Sequence, residues 1–125
     1  TLMPADDHDA ALAASSHVPH MMAYALTAML GDHALVPMKH GGGALRDMTR
    51  IAASDPVMWR DIALTNREAI LEAMDAVAVE HERLRRLIAE ADGDAMQRVF
   101  DRCRAIRRAH DDVLNPLLKR SESES

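Results

Sequence analysis

The sequence predicts an all-α domain: a bundle of about five or six helices with one long central helix, forming an intertwined dimer. Three observations point there. The chain has 125 residues but only three aromatic side chains, Tyr24, Trp59 and Phe100. Its core is therefore aliphatic, and nine methionines help to fill it. Ala, Leu and Met favour helices, whereas strands prefer β-branched and aromatic residues. Apolar residues recur at helical spacing over long stretches, and no βαβ pattern is visible. Finally, the stretch from Pro56 to about Ala91 contains no internal breaker. At ~1.5 Å rise per residue such a helix is about 50 Å long. A globule of this size is only ~28 Å across. A helix that overshoots its own domain needs a second partner for its apolar stripe, and a second copy of the chain supplies one.

Thr1 to Asp7 reads as a polar lead-in, with Asp6 or Asp7 capping the first helix. That helix runs to about Leu30, with Ala11, Ala14, Val18, Met21, Met22, Ala25, Leu26 and Met29 along its apolar side. Pro19 lies inside it and removes one i→i−4 bond, which predicts a kink near Ser15 and Ser16. The kink would turn His17 and His20 toward a common cleft. Gly31 is expected to end this helix as a left-handed cap residue. Asp32 to Gly43 is then a connection long enough to suggest function. It ends in Gly41-Gly42-Gly43, where the backbone tolerates positive φ and close approach by another group.

A short helix follows from Ala44 to Ala53. Asp55 can cap the next one, with Pro56 as its first residue, where a missing N–H costs nothing. Ile62, Ala63, Ala69, Ile70, Ala73, Met74, Val77, Leu84, Leu87 and Ile88 make its apolar stripe. Asp92-Gly93-Asp94 is a turn and cap. The helix from about Asp94 to Asp111 is expected to turn Met96, Val99, Phe100, Cys103 and Ile106 inward. A last turn near Val113 to Lys119 closes the helical domain, residues 1–120. Residues 121–125, Ser-Glu-Ser-Glu-Ser, are expected to be a disordered tail.

Composition removes several function classes. A net charge of −5 argues against general nucleic-acid binding. The single cysteine, Cys103, cannot build an internal disulfide framework and suits a reducing cytoplasm. No apolar run reaches the ~18 to 20 residues that would span a membrane, and no secretory signal opens the chain. No Gly-x-Gly-x-x-Gly follows an apolar strand, and Gly41 follows Met38-Lys39-His40 rather than a buried strand.

The stretch GGGALRDMTRIAASDPVMWRDI, from Gly41 to Ile62, followed by Asn66-Arg67-Glu68, resembles the C-terminal helical domain of prephenate dehydrogenases. Cyclohexadienyl and arogenate dehydrogenases belong with them. His8-Asp9 and Ser16-His17-Val18-Pro19-His20 are similar to that domain's other signature, so the likeness spans roughly residues 8 to 68. The resemblance implies an NAD(P)-dependent oxidoreductase of tyrosine biosynthesis. Its reaction is the oxidative decarboxylation of prephenate to 4-hydroxyphenylpyruvate, or the matching step on arogenate. A hydride goes from the hydroxyl-bearing ring carbon to the nicotinamide, the ring carboxylate leaves as CO2, and the ring becomes aromatic. The family's catalytic base, a His, and its NAD or NADP site are expected in an N-terminal Rossmann-type domain absent from this chain. These residues alone are therefore not expected to turn over. A cytoplasmic homodimer, with tyrosine as a candidate inhibitor, completes the expectation.

Within this chain the resemblance implies that Arg50 binds a substrate carboxylate through two parallel hydrogen bonds. The alternative is an ion pair with Asp47 one turn earlier. Asp47 is expected to pair with Arg50 or another neighbouring arginine and hold it in place. His17 is implied to line the substrate pocket as a hydrogen-bond donor; otherwise it is a capped histidine in a kinked helix. Trp59 is implied to lie near the substrate entrance, against the plain reading of a core tryptophan. Gly42 and Gly43 let the main chain approach the substrate. Thr49 reads as a helix-internal hydroxyl, and His20 as structural.

Two other functions compete. A stand-alone helical dimerisation or effector-binding module explains the long stripe and the missing cofactor motif, and gives Arg50 no special role. A metal site on His8, His17 and His20 needs more convincing ligand spacing than His-x-x-His provides. No metal is expected.

Overall fold

The computed structural model describes residues 5–34 and 37–115, the side chain of His40 excepted. The expected tail, and the last turn beyond residue 115, lie outside these residues. Among the described residues there is no strand, in keeping with the all-α expectation. The helices are α1 (Ala5–Leu12), α2 (Val18–Gly31), α3 (Gly43–Thr49), α4 (Pro56–Thr65), α5 (Arg67–Ala89), α6 (Gly93–Ala109) and α7 (Asp111–Leu114). A π-helical turn, Ala13–His17, joins α1 to α2, and 3-10 turns cover Pro37–His40 and Arg50–Ala53. The chain divides into two compact units, residues 1–78 and 79–125, with the division falling inside α5.

In the first unit, the expected kink before Pro19 is the π turn. Val18 N–H reaches back five residues to the Ala13 carbonyl, and Pro19 sits in the first turn of α2. Widening the helix here accommodates a residue that cannot donate to the ladder. Gly31 is the last residue of α2 rather than a left-handed cap, and Asp32 follows as the C-cap. The buried residues are Ala13, His17, Val18, Ala23 and Leu30 from the first helices, with Trp59 and Ile70 from α4 and α5. Helix α3 and the 3-10 turn after it pack against α2. The start of α4 follows the expectation: Asp55 Oδ1 accepts from Val57 N–H at 3.0 Å, and Pro56 opens the helix.

The unbroken helix expected from Pro56 to Ala91 is corrected. It breaks at Asn66, whose φ of −109° and ψ of 35° are not helical. The backbone ladder nevertheless continues through it. Asn66 N–H donates to the Ile62 carbonyl and Ile70 N–H to the Asn66 carbonyl, each at 3.0 Å. The apolar periodicity therefore runs on while the side chain of Asn66 turns to other partners.

In the second unit, α5 ends in a Schellman motif. Asp92 N–H donates to the Leu87 carbonyl and Ala91 N–H to the Ile88 carbonyl. The left-handed position is filled by Ala91, at φ 53°, where glycine is usual. Asp92 then caps α6, its Oδ1 accepting from Ala95 N–H at 3.1 Å. Local ion pairs line the helices: Arg83 with Glu80, Arg104 with Asp101 and Arg107 with Asp111. No described residue of this unit is buried. Met96 and Val99 are half-buried, but Phe100 (54% exposed), Ile106 (50%) and Cys103 face outward, against the inward packing expected of them.

Candidate functional site

A polar cluster in the first unit forms around His17. The π turn ends on His17 and buries it to 7% exposure. The Asp55 cap and Pro56 set the register of α4, and this brings Trp59 against α2. The His17 ring meets the indole edge-on, with centroids 5.9 Å apart and planes at 81°. His20, one turn further along, stacks on the same indole at 3.6 Å and 17°. Thus the two histidines do converge, and Trp59 is what they converge on.

Asn66 completes the group. Its Nδ2 donates to the Asp9 carbonyl at 3.0 Å and lies 3.2 Å from His17 Nδ1. His20 Nδ1 faces the Ser16 carbonyl at 2.9 Å, so that nitrogen carries a proton. Burial holds the pKa of His17 below its ordinary 6.5, and the nearby His20 lowers it further. His17 is thereby favoured as a neutral imidazole. A cavity of about 440 Å³ opens beside it, lined by Leu12, His17, Met58, Ile62 and Asn66 among others. A second, of about 620 Å³, is lined by Asp6, Asp9, Arg67, Glu68 and Glu72, and also reaches Asn66.

The other sequence candidates lie elsewhere. Arg50 opens the 3-10 turn after α3 and is exposed. Among the described residues no hydrogen bond or ion pair holds its guanidinium. Asp47 takes its neighbouring-arginine option with Arg46, at 3.9 Å and largely exposed, not with Arg50. Gly43 begins α3, where an added Cβ would lie 3.7 Å from the Arg46 guanidinium, and at Gly42 it would meet open space. None of the three glycines has the positive φ that their run suggested, so it is the open space in front of Gly42 that the bare backbone offers. Arg50, Asp47 and Gly43 line neither of the two cavities. Thr49 donates to the Leu45 carbonyl at 2.8 Å, as a helix-internal hydroxyl does.

His8 lies 3.7 Å from Asp9, in a local pair. Among the described residues no group of three or more His, Cys, Asp or Glu converges as metal ligands. Nor do those residues form a strand leading through a glycine loop into a helix. No helix among them is long and apolar enough to cross a membrane. Asn66 entered the sequence reading only as part of the family resemblance, and its bonds to Asp9 and His17 were missed. Its one physical signal was a poor helix former in the middle of a helical pattern.

Residues 4–102 match the family described as prephenate dehydrogenase, dimerization domain. A cyclohexadienyl dehydrogenase of Zymomonas mobilis is 41% identical over 103 residues, covering 79% of this chain and 35% of that protein. A prephenate dehydrogenase of Bacillus subtilis is 35% identical over 101 residues, 78% of this chain and 27% of its own length. The chain thus spans about a third of the length of these curated relatives. Prephenate dehydrogenase from A. aeolicus, solved with hydroxyphenyl propionate and NAD+, superposes with a TM-score of 0.80 at 32% identity, covering 87% of this chain and 39% of that one. Synechocystis arogenate dehydrogenase shares the fold, with a TM-score of 0.84 at 22% identity, over 88% of this chain and 41% of its own. By the match over residues 4–102, the chain belongs to the prephenate dehydrogenase dimerization-domain family.

Proposed function

We propose that this chain is the C-terminal, substrate-contacting and dimerising part of an NAD(P)-dependent dehydrogenase that decarboxylates prephenate or arogenate. The observation that carries the reading is a buried His17, packed on Trp59 and bonded to Asn66 beside a cavity, inside the part that matches the family. A neutral imidazole donates one hydrogen bond to an anionic substrate without placing a competing charge in the site. The exposed guanidinium of Arg50, unpaired among the described residues, is assigned to a substrate carboxylate, with Asp47 and Gly43 around that end of the ligand and Trp59 beside His17. NAD or NADP and the catalytic base belong to a separate dinucleotide-binding domain. A homodimer, a cytoplasmic location and tyrosine as an inhibitor go with the same reading.

The test is a steady-state assay of the full-length gene product, following NAD(P)H formation with each substrate and each nucleotide. One pairing is expected to dominate. Arg50→Ala should raise KM by ~10- to 100-fold, the loss of a charge-assisted bidentate contact, with a smaller change in kcat. Failure to reduce either nucleotide with either substrate would sink the reading. The competing module without catalysis draws its support from the exposed apolar face of the second unit. It predicts tight dimers whose properties do not respond to Arg50→Ala.

A further inference from the structure

The amide of Asn66 reaches two partners at once, and its chemistry decides a proton position on a third group. The Asp9 carbonyl can only accept, so the atom of Asn66 that meets it at 3.0 Å must be the nitrogen, Nδ2. That same NH2 group lies 3.2 Å from His17 Nδ1. Its second N–H therefore points at Nδ1, which must offer a lone pair. A neutral imidazole with a bare Nδ1 carries its proton on Nε2.

We propose that Asn66 is a positioning residue: it holds His17 in the Nε2–H tautomer, so that the histidine presents a donor, and not a lone pair, to the substrate anion. The proposal rests on His17 being a substrate contact, as put forward above. It adds what makes that contact a donor. His17 is buried, so its ring cannot choose a tautomer against water as an exposed imidazole does. The only side-chain partner that the described residues give Nδ1 is Asn66. The break between α4 and α5 gains a purpose on this reading: its residue, Asn66, reaches both Asp9 and His17. Asn66 also lines the cavity that His17 lines.

The test uses the full-length protein with isotopically labelled histidine. Long-range proton–nitrogen correlation spectra distinguish the two imidazole tautomers directly, without substrate or activity. The wild type should show His17 protonated on Nε2. Asn66→Asp replaces the amide donor by a carboxylate acceptor of the same shape, and should move the proton to Nδ1. In the same variant KM for prephenate or arogenate should rise about tenfold or more, with kcat changed less. A wild-type His17 protonated on Nδ1 overturns the proposal with no variant needed. An unchanged tautomer in Asn66→Asp overturns it as well. His17→Ala separates the remaining cases. If that change raises KM and Asn66→Asp does not, positioning by Asn66 is wrong while the substrate contact stands. If neither raises KM, the substrate contact itself is wrong and the proposal falls with it.

Discussion

Residues 1–78 and residues 79–125 are built from the same low-aromatic, helix-forming alphabet, yet among the described residues only the first unit buries any of its apolar side chains. The first unit folds helices across one another and buries Val18, Ala23, Leu30, Trp59 and Ile70 within itself. The second extends α6 with local ion pairs along it and leaves Val79, Ile88, Phe100, Ile106 and Val113 half or more exposed. The first holds a small core yet still leaves Met29, Met48, Val57, Leu64 and Leu71 half or more exposed; the second buries none of its described residues. Surface ion pairs three or four residues apart add only ~0.3–0.5 kcal/mol each, so they cannot replace that missing burial. The contrast teaches that the two halves answer to different changes: the first to side-chain volume and protons, the second to association.

The largest effect should come from Trp59→Ala. It removes the ring that both His17 and His20 pack on, and should cost about 3–5 kcal/mol of stability in the first unit. Chemical denaturation measures it. If that variant were as stable as the wild type, Trp59 would not anchor the core of the first unit. Next, Phe100→Glu places a charge on the exposed apolar face of α6. It should weaken self-association by on the order of 2 kcal/mol, about thirtyfold, as measured by sedimentation over a concentration series. An unchanged dimer would remove α6 from the interface.

A proton should distinguish the halves more gently. His17 in the folded chain holds its proton less tightly than the ordinary value of 6.5. Below that value the unfolded chain takes up a proton that the folded chain refuses. The stability contributed by neutral His17 is therefore full above pH 6.5, and is lost as pH falls from there through the lowered folded pKa. Denaturation curves of wild type and His17→Gln, compared across that window, should diverge with this sign. The smallest effect is a gain. Ala91→Gly relieves the left-handed strain at the end of α5 and should add about 1 kcal/mol, read as a rise in Tm. No gain would mean that the cap is already relaxed with alanine in place.

Local signals were legible in the sequence and tertiary ones were not. Asp55-Pro56 announces a helix start because capping is decided within three residues, and Pro19 announces a distortion because its missing N–H acts within one turn. The triple glycine misled on conformation, since permission for positive φ is not a demand for it. The break at Asn66 was hidden because the apolar stripe and the backbone bonds pass through it unchanged. What marks it in the fold are side-chain bonds to Asp9 and His17, 57 and 49 residues away in sequence. Likewise, His17 and His20 read as a pair at helical spacing, but nothing in that spacing names Trp59 as the surface they share.

The π turn has one more consequence, for the counting of residues. A helix that closes a hydrogen bond over five residues holds one more residue than the α-turn it replaces. Each residue in an α-helix advances the azimuth by about 100°. Deleting either Ala13 or Ala14 would thus let the ladder relax to a regular α-helix while rotating everything upstream by roughly that angle. Asp9 lies upstream of the turn and His17 at its end, and the amide of Asn66 grips both. The inserted residue works as a phase shifter, setting the angle at which a single side chain can span two helical segments at once.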